Sequence, residues 1–481
     1  MTTLLSAMQT KDSRTENGML TNSSSLNHCV DLFFQIAAMR GQDKQRLINS
    51  FTKAFGENPL TAMKLLFWAR DIRGGAGERQ IFKDIITYLA ANRGEVMRKN
   101  MHLVTEFGRW DDLLVFIGTP LEKDALGLIS SGLSNKNCLV AKWLPRPNVS
   151  NTTAKMQANV IRKHLGLTPK EYRKMLVELS NTVEQLMCGG DWAKIDYNKL
   201  PSKAMSTLMK AFSKHDKDRF GAYINSLEKG EAGVKINTGA VYPYDIIKSL
   251  RAGQASGANA QWNALPNFLE GSQERFIPVV DVSGSMYWPE SKVTGDLYAG
   301  DIAQSLGLYI SERNLGPFKD AVISFSESPK LSILSGSLSE RYGQLRGIGV
   351  GGSTNLQAVF RLILNKAKES NVPESEMPTM VLILSDMEFN QGSSRYVDNT
   401  SQEMIERMYS EAGYTCPKVV YWNLASRGDK NKPVHFHKSG TCLVSGFSPS
   451  LLSNLLGGKE MTPYSMMMNV IDSERYAGVT V

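Results

Sequence analysis

A chain of 481 residues exceeds what one hydrophobic core organises, so two or three domains are expected. Its 42% hydrophobic and 21% charged residues are those of a water-soluble protein, and no apolar run approaches the roughly 20 residues of a membrane span. The amino terminus, MTTLLSAMQTKDSRTENG, lacks the basic start and apolar run of a secretory signal, so membrane partners are excluded and the expected location is cytoplasmic, with a virion as the alternative. The net charge is +8. Residues 136–251 hold 20 Lys and Arg against 10 Asp and Glu, which accounts for the whole excess and reads either as a solvated surface or as the electrostatic footprint of a polyanion site.

In chain order, residues 1–27 are polar, rich in Ser, Thr and Asn, and aperiodic, and are expected to form a flexible arm. Residues 28–255 follow helical periodicity. One amphipathic piece runs from Asp31 to Arg40 and a second from Asp43 to Gly56. Asn58 and Pro59 then supply an N-cap and a first-turn proline for a helix ending at Gly74-Gly75. Another runs from Glu78 to Gly94, and a pair brackets Gly108-Arg109-Trp110-Asp111-Asp112. Consecutive short helices predict an all-α, HEAT-like repeat module. Residues 256–274, rich in Gly, Ala, Ser and Asn, read as a linker.

The basic stretch exposes Arg162, Lys163, His164, Arg173, Lys174, Lys210, Lys214, Lys217 and Arg219, interleaved with Tyr172, Trp192, Tyr197, Phe212 and Phe220. Two readings stand: a groove that grips phosphates and stacks bases, or helix faces with cations in water and aromatics in the core.

From residue 275 to 481 the grammar changes. FIPVVD, AVISF, MVLILS and KVVYWNL are continuous apolar strands separated by amphipathic helices, which predicts an α/β domain with a parallel, Rossmann-like sheet covered on both faces. Ligands then sit beyond the carboxyl ends of the strands. Three segments fall at such ends: Asp281-Val282-Ser283-Gly284-Ser285, Gly351-Gly352-Ser353-Thr354-Asn355 and Ser385-Asp386-Met387. Hydroxyls of Ser283, Ser285 and Thr354 with carboxylates of Asp281 and Asp386 suit a hard cation, Mg2+ or another divalent ion. Ser353, beside Thr354, is the competing hydroxyl.

Other signals are weaker. The five cysteines are scattered and form neither a disulfide framework nor a zinc site. Residues 347–352 spell GxGxxG without the strand that a dinucleotide site requires. None of the six histidines lies in a triad context, and no catalytic residue is assigned.

The DxSxS sequence, the Thr-Asn pair and the strand-terminal Asp resemble the metal-ion-dependent adhesion site of von Willebrand factor A (vWA) domains, and the resemblance implies ligand roles for Asp281, Ser283, Ser285, Thr354 and Asp386. A basic helical module followed by a vWA domain is similar to the Ro/TROVE family of ring-shaped RNA-binding proteins. FWARDIRGGAGERQIF, EFGRWDDLL and CLVAKWLPRPN are closer to an uncharacterised TROVE-like family that also carries a vWA domain. The resemblance implies a non-enzymatic protein that binds single-stranded or small structured RNA through residues 28–255 and docks a partner through Mg2+ at residues 275–481. The alternative is a structural or assembly protein, of a virion or scaffold, whose metal captures a partner's carboxylate.

Overall fold

The computed structural model describes residues 11–180, 182–294, 296–325, 327–348, 352–455 and 460–481. The first ten residues of the expected arm, and residues 349–351 of the GxGxxG segment, lie outside them. The chain forms two compact units, Met1–Leu65 with Thr238–Ser473, and Leu66–Asn237 with Glu474–Val481.

The first unit is built on a six-stranded sheet: β1 Phe276–Asp281, β2 Ala321–Phe325, β3 Lys330–Ile333, β4 Met380–Ser385, β5 Lys418–Asn423 and β6 Thr441–Ser445. The spatial order is β6-β5-β4-β1-β2-β3. All neighbours are parallel except the edge strand β3, which runs antiparallel to β2. β1, β2, β4 and β6 are buried along their whole length, as continuous Val, Ile and Leu runs require when both faces are covered. Chain order reverses direction between β1 and β4, which opens a crevice at their carboxyl ends. The helix Ala299–Arg313 packs on β1 so closely that a Cβ on Gly307 would come within 2.4 Å of a Val280 methyl; only glycine admits that approach.

Residues 11–65 differ from the expected arm and helical module. Ser13–Arg14 and Leu20–Thr21 pair as a small hairpin, and the helix His28–Gln35 covers β6, its Phe33 and Phe34 carbonyls accepting bonds from Ser445 and Asn423 (2.6 and 3.1 Å). The helical periodicity there is real, but the apolar face serves the sheet. The expected linker is also structured: helix Ala255–Asn263 buries Trp262, whose indole N–H donates to Glu312 at 2.7 Å.

The second unit is helical, with Arg79–Asn92, Gly94–Phe107, Glu122–Ser134, Thr152–His164, Pro169–Leu179, Ser202–His215 and Lys217–Glu228 as its longer elements. A buried ion-pair knot closes its first part. Arg70 meets Asp112 at 2.7 Å, with side-chain exposures of 5% and 0%, and Arg79 and Lys83 reach the same carboxylate at 3.3 and 3.4 Å.

Candidate metal centre

β1 ends in Asp281, which is fully buried. Its Oδ1 accepts the Ser283 N–H at 2.9 Å, and its Oδ2 accepts the hydroxyl of Ser385, at the end of β4, at 2.5 Å. The register that pairs Val280 with Leu384 brings these next residues together. The hydroxyls of Ser283 and Ser285 lie 3.0 Å apart. Asp386 follows Ser385, is likewise buried, and closes a tight turn in which the Glu388 N–H donates to its Oδ1 at 3.2 Å. Met387 within that turn has φ +68°, a left-handed conformation that costs a non-glycine residue energy and concentrates at functional sites.

Three buried acids share this rim. Burial, reinforced by the charge of Asp386, pushes the Asp281 carboxyl up to about 7. Burial also pushes Glu388 up, opposed by the Glu16 N–H and reinforced by Asp386. Against these three buried acids stands Arg427, from the loop beyond β5, whose Nη2 donates to Asp386 Oδ2 at 2.6 Å. Two carboxylates and two hydroxyls fit a hard divalent ion that keeps part of its water. Among the described residues no group of three or more His, Cys, Asp or Glu side chains is arranged to hold a metal; the fit here rests on hydroxyl oxygens as much as on carboxylates.

Thr354 stands somewhat apart from the other four. It is buried and reaches the same loop, but its hydroxyl donates to the Glu388 carbonyl, lies 3.1 Å from Asn390 Oδ1 and accepts from Asn17 Nδ2 at 3.2 Å. Sequence reasoning missed Ser385, Glu388, Arg427 and Asn17. Ser385 lies inside the Ser385-Asp386-Met387 segment, and the carboxyl-end rule points equally to the loop after β5; nothing local marks Asn17.

Of the nine basic positions, Lys163, His164, Arg173, Lys174, Lys210, Lys214, Lys217 and Arg219 are exposed, and Arg162 is half-buried. Two serve the fold: Arg162 donates to Asn159 and the Leu167 carbonyl, and Arg219 donates to the Trp192 and Ile195 carbonyls (2.6 and 2.8 Å) and to Asp216. The interleaved aromatics resolve in favour of the core. Tyr172, Tyr197, Phe212 and Phe220 are buried, the last three packed ring against ring with centroids 5.2–5.6 Å apart. Trp192 alone lies partly open, stacked on His215 at 5.1 Å.

Residues 15–128 and 124–274 match DUF2828, a domain of unknown function. The chain belongs to the DUF2828 family. Its α/β part, residues 275–476, matches a second domain of unknown function, DUF7788. This DUF2828 protein is similar to an uncharacterised protein of Acanthamoeba polyphaga mimivirus, 32% identical over 510 residues that span 95% of the chain and 87% of the relative. Among the described residues no helix is long and apolar enough to cross a membrane.

Proposed function

We propose that this DUF2828 protein docks a carboxylate of a protein partner through a divalent cation, Mg2+ by the chemistry of its donors, in the manner of a vWA domain. One observation carries the reading: two buried carboxylates, Asp281 and Asp386, lie at the ends of adjacent strands beside the paired hydroxyls of Ser283 and Ser285. Ser283, Ser285, Asp281 and Asp386 would hold the ion, with Thr354 joining once its hydroxyl leaves the Glu388 carbonyl. The bound ion supplies an electrophilic position that a partner's acid can fill. The relative in a mimivirus suits an assembly role of the kind the sequence raised.

Calorimetric titration with MgCl2 and MnCl2 tests the reading. Wild-type protein is expected to bind one ion, and the Ser283→Ala/Ser285→Ala double variant to lose it; equal heats for the two proteins sink the proposal. Partner capture should also vanish in EDTA and with Asp281→Ala.

RNA binding by the helical unit is a second reading, favoured by the exposure of Lys163, Arg173, Lys210, Lys214 and Lys217. With the aromatics buried, the support extends to phosphate contacts and not to base stacking.

A further inference from the structure

The hairpin at residues 13–21 reaches across the metal rim. Its tip, residues 15–18, turns at Gly18 with φ +87° and bonds to the loops that carry Thr354 and Asp386. The Thr15 hydroxyl donates to the Phe389 carbonyl at 2.6 Å, and the Glu16 N–H donates to Glu388 Oε2 at 2.6 Å. The Asn17 amide donates to the Glu388 carbonyl at 2.6 Å and to the Thr354 hydroxyl at 3.2 Å. The Asn17 carbonyl accepts the Gln391 N–H at 2.9 Å. The tip therefore holds a candidate ligand hydroxyl in place.

Its side-chain acid meets Arg427. Glu16 lies 3.2 Å from Arg427 Nη1, while Arg427 Nη2 is bonded to Asp386. The arginine side chain is 7% exposed and Glu16 is 55% exposed. Arg427 Nε is buried and has no acceptor among the described residues. Beside it Trp288 is 52% exposed, its ring centroid 5.4 Å from the guanidinium carbon. A buried guanidinium thus bonds one fixed inner acid and one solvent-washed outer acid. A pair with an exposed partner contributes little and exchanges readily, whereas Arg and Trp together form the kind of anchor on which interfaces concentrate their affinity.

We infer that the strap of residues 13–21 is an intramolecular occupant of the rim, and that the surface it holds, Arg427 beside Trp288, receives an acidic peptide from a partner in its place. The inference rests on the docking function proposed above, and it names the partner's chemistry and the element that competes with it. The occupant already present is a peptide that delivers a carboxylate to Arg427 while its backbone bonds to the neighbouring loop, so its replacement has the same two features. Opening the strap would also remove the Asn17 bond to the Thr354 hydroxyl, leaving that hydroxyl bonded to the Glu388 carbonyl.

The test uses full-length protein and a fluorescein-labelled peptide of residues 13–21 added in trans, followed by anisotropy in MgCl2 and in EDTA. The Glu16→Gln/Asn17→Ala variant, whose own strap is weakened, is expected to bind the peptide about three- to tenfold tighter than wild type. A peptide with Gln in place of its Glu should lose that binding, and Trp288→Ala should weaken it about tenfold. Equal affinities for wild type and strap variant overturn the inference, as does equal binding of the Gln peptide or no binding to any of the proteins. The metal is read separately by the MgCl2 titration: absence of ion binding there defeats the metal-dependent function, whereas a strap effect unchanged in EDTA shows only that the peptide docks on Arg427 and Trp288 without the ion.

Discussion

Asp281 illustrates a conflict between stability and function at one residue. Its buried carboxylate lies in the field of Asp386, with hydrogen bonds from Ser283 and Ser385 as its local compensation. An ion would relieve this; without one the charge is a liability. Asp281→Asn is therefore expected to stabilise the protein in EDTA by about 1–2 kcal/mol, the penalty left after its hydrogen bonds are subtracted, while abolishing any Mg2+-induced rise in Tm. Thermal melts with and without Mg2+ measure both; a variant that is less stable in EDTA would contradict the account. Asp112 behaves in the opposite way. Burial pushes its carboxyl up, but Arg70, the Arg109 N–H and Lys83 outweigh that and hold it below the ordinary range. Asp112→Ala leaves Arg70 buried and unpaired, and should cost about 3–5 kcal/mol in a denaturant titration. This knot explains the wording of the FWARDIRGGAGERQIF and FGRWDDLL segments. Arg70, Arg79, Asp111 and Asp112 bind one another, and Gly75 is required because a Cβ there would stand 1.9 Å from the Trp68 carbonyl. Those segments carry structure, so their wording is accounted for by the fold of the unit without a ligand.

Elements were legible where burial alone shapes the pattern. The four strands read as apolar runs are β1, β2, β4 and β5, because a strand covered on both faces is apolar along most of its length. Both edge strands escaped notice: the exposed KLSI sequence of β3 gains its identity only from pairing with β2, and β6, although buried, is a short TCLVS with polar residues at both ends. The helix His28–Gln35 was legible as a helix but not as part of the sheet's cover, since periodicity reveals an apolar face and not what that face meets. The same limit hid Arg427 and Asn17, whose partners lie 41 and 337 residues away in the chain. The placement of His28–Gln35 has a pH consequence. Asp31 on this helix is half-buried; desolvation raises its carboxyl, but the charge of Lys432, the neighbouring His28 and bonds from Ser24 and Ser25 outweigh that and pull it below the ordinary range. A carboxyl depressed in the folded state contributes stability above its unfolded pKa of about 3.9, lost as pH falls through the lower folded value. Unfolding free energy should therefore fall with acidification below about pH 4, and Asp31→Asn should be less stable at pH 7 with a shallower acid limb in denaturant titrations.

At the scale of the whole molecule, the excess charge and the candidate metal lie in different units: the basic helices in Leu66–Asn237, the buried acids in Thr238–Ser473. A single ligand class would not satisfy both, which argues for two separable binding activities, each testable while the other is disabled. For RNA the physical expectation is specific. Lys210, Lys214 and Lys217 are exposed on the helices Ser202–His215 and Lys217–Glu228, and each phosphate they neutralise releases counterions. The slope of log K against log salt should then be about −0.7 per contact on a single strand. Gel-shift titrations of single-stranded RNA between about 50 and 200 mM salt should show a steep fall in affinity, and the Lys210→Ala/Lys214→Ala/Lys217→Ala variant should flatten the slope by about 2 if all three lysines touch phosphate. Because Tyr172, Tyr197, Phe212 and Phe220 are in the core, poly-U and poly-A should bind nearly alike, and Trp192→Ala should be the aromatic change that registers. Asp281→Ala should leave the slope unaltered. Binding that ignores salt, or a triple variant with the wild-type slope, would assign those lysines to solvated surface and leave the metal rim as the chain's functional centre.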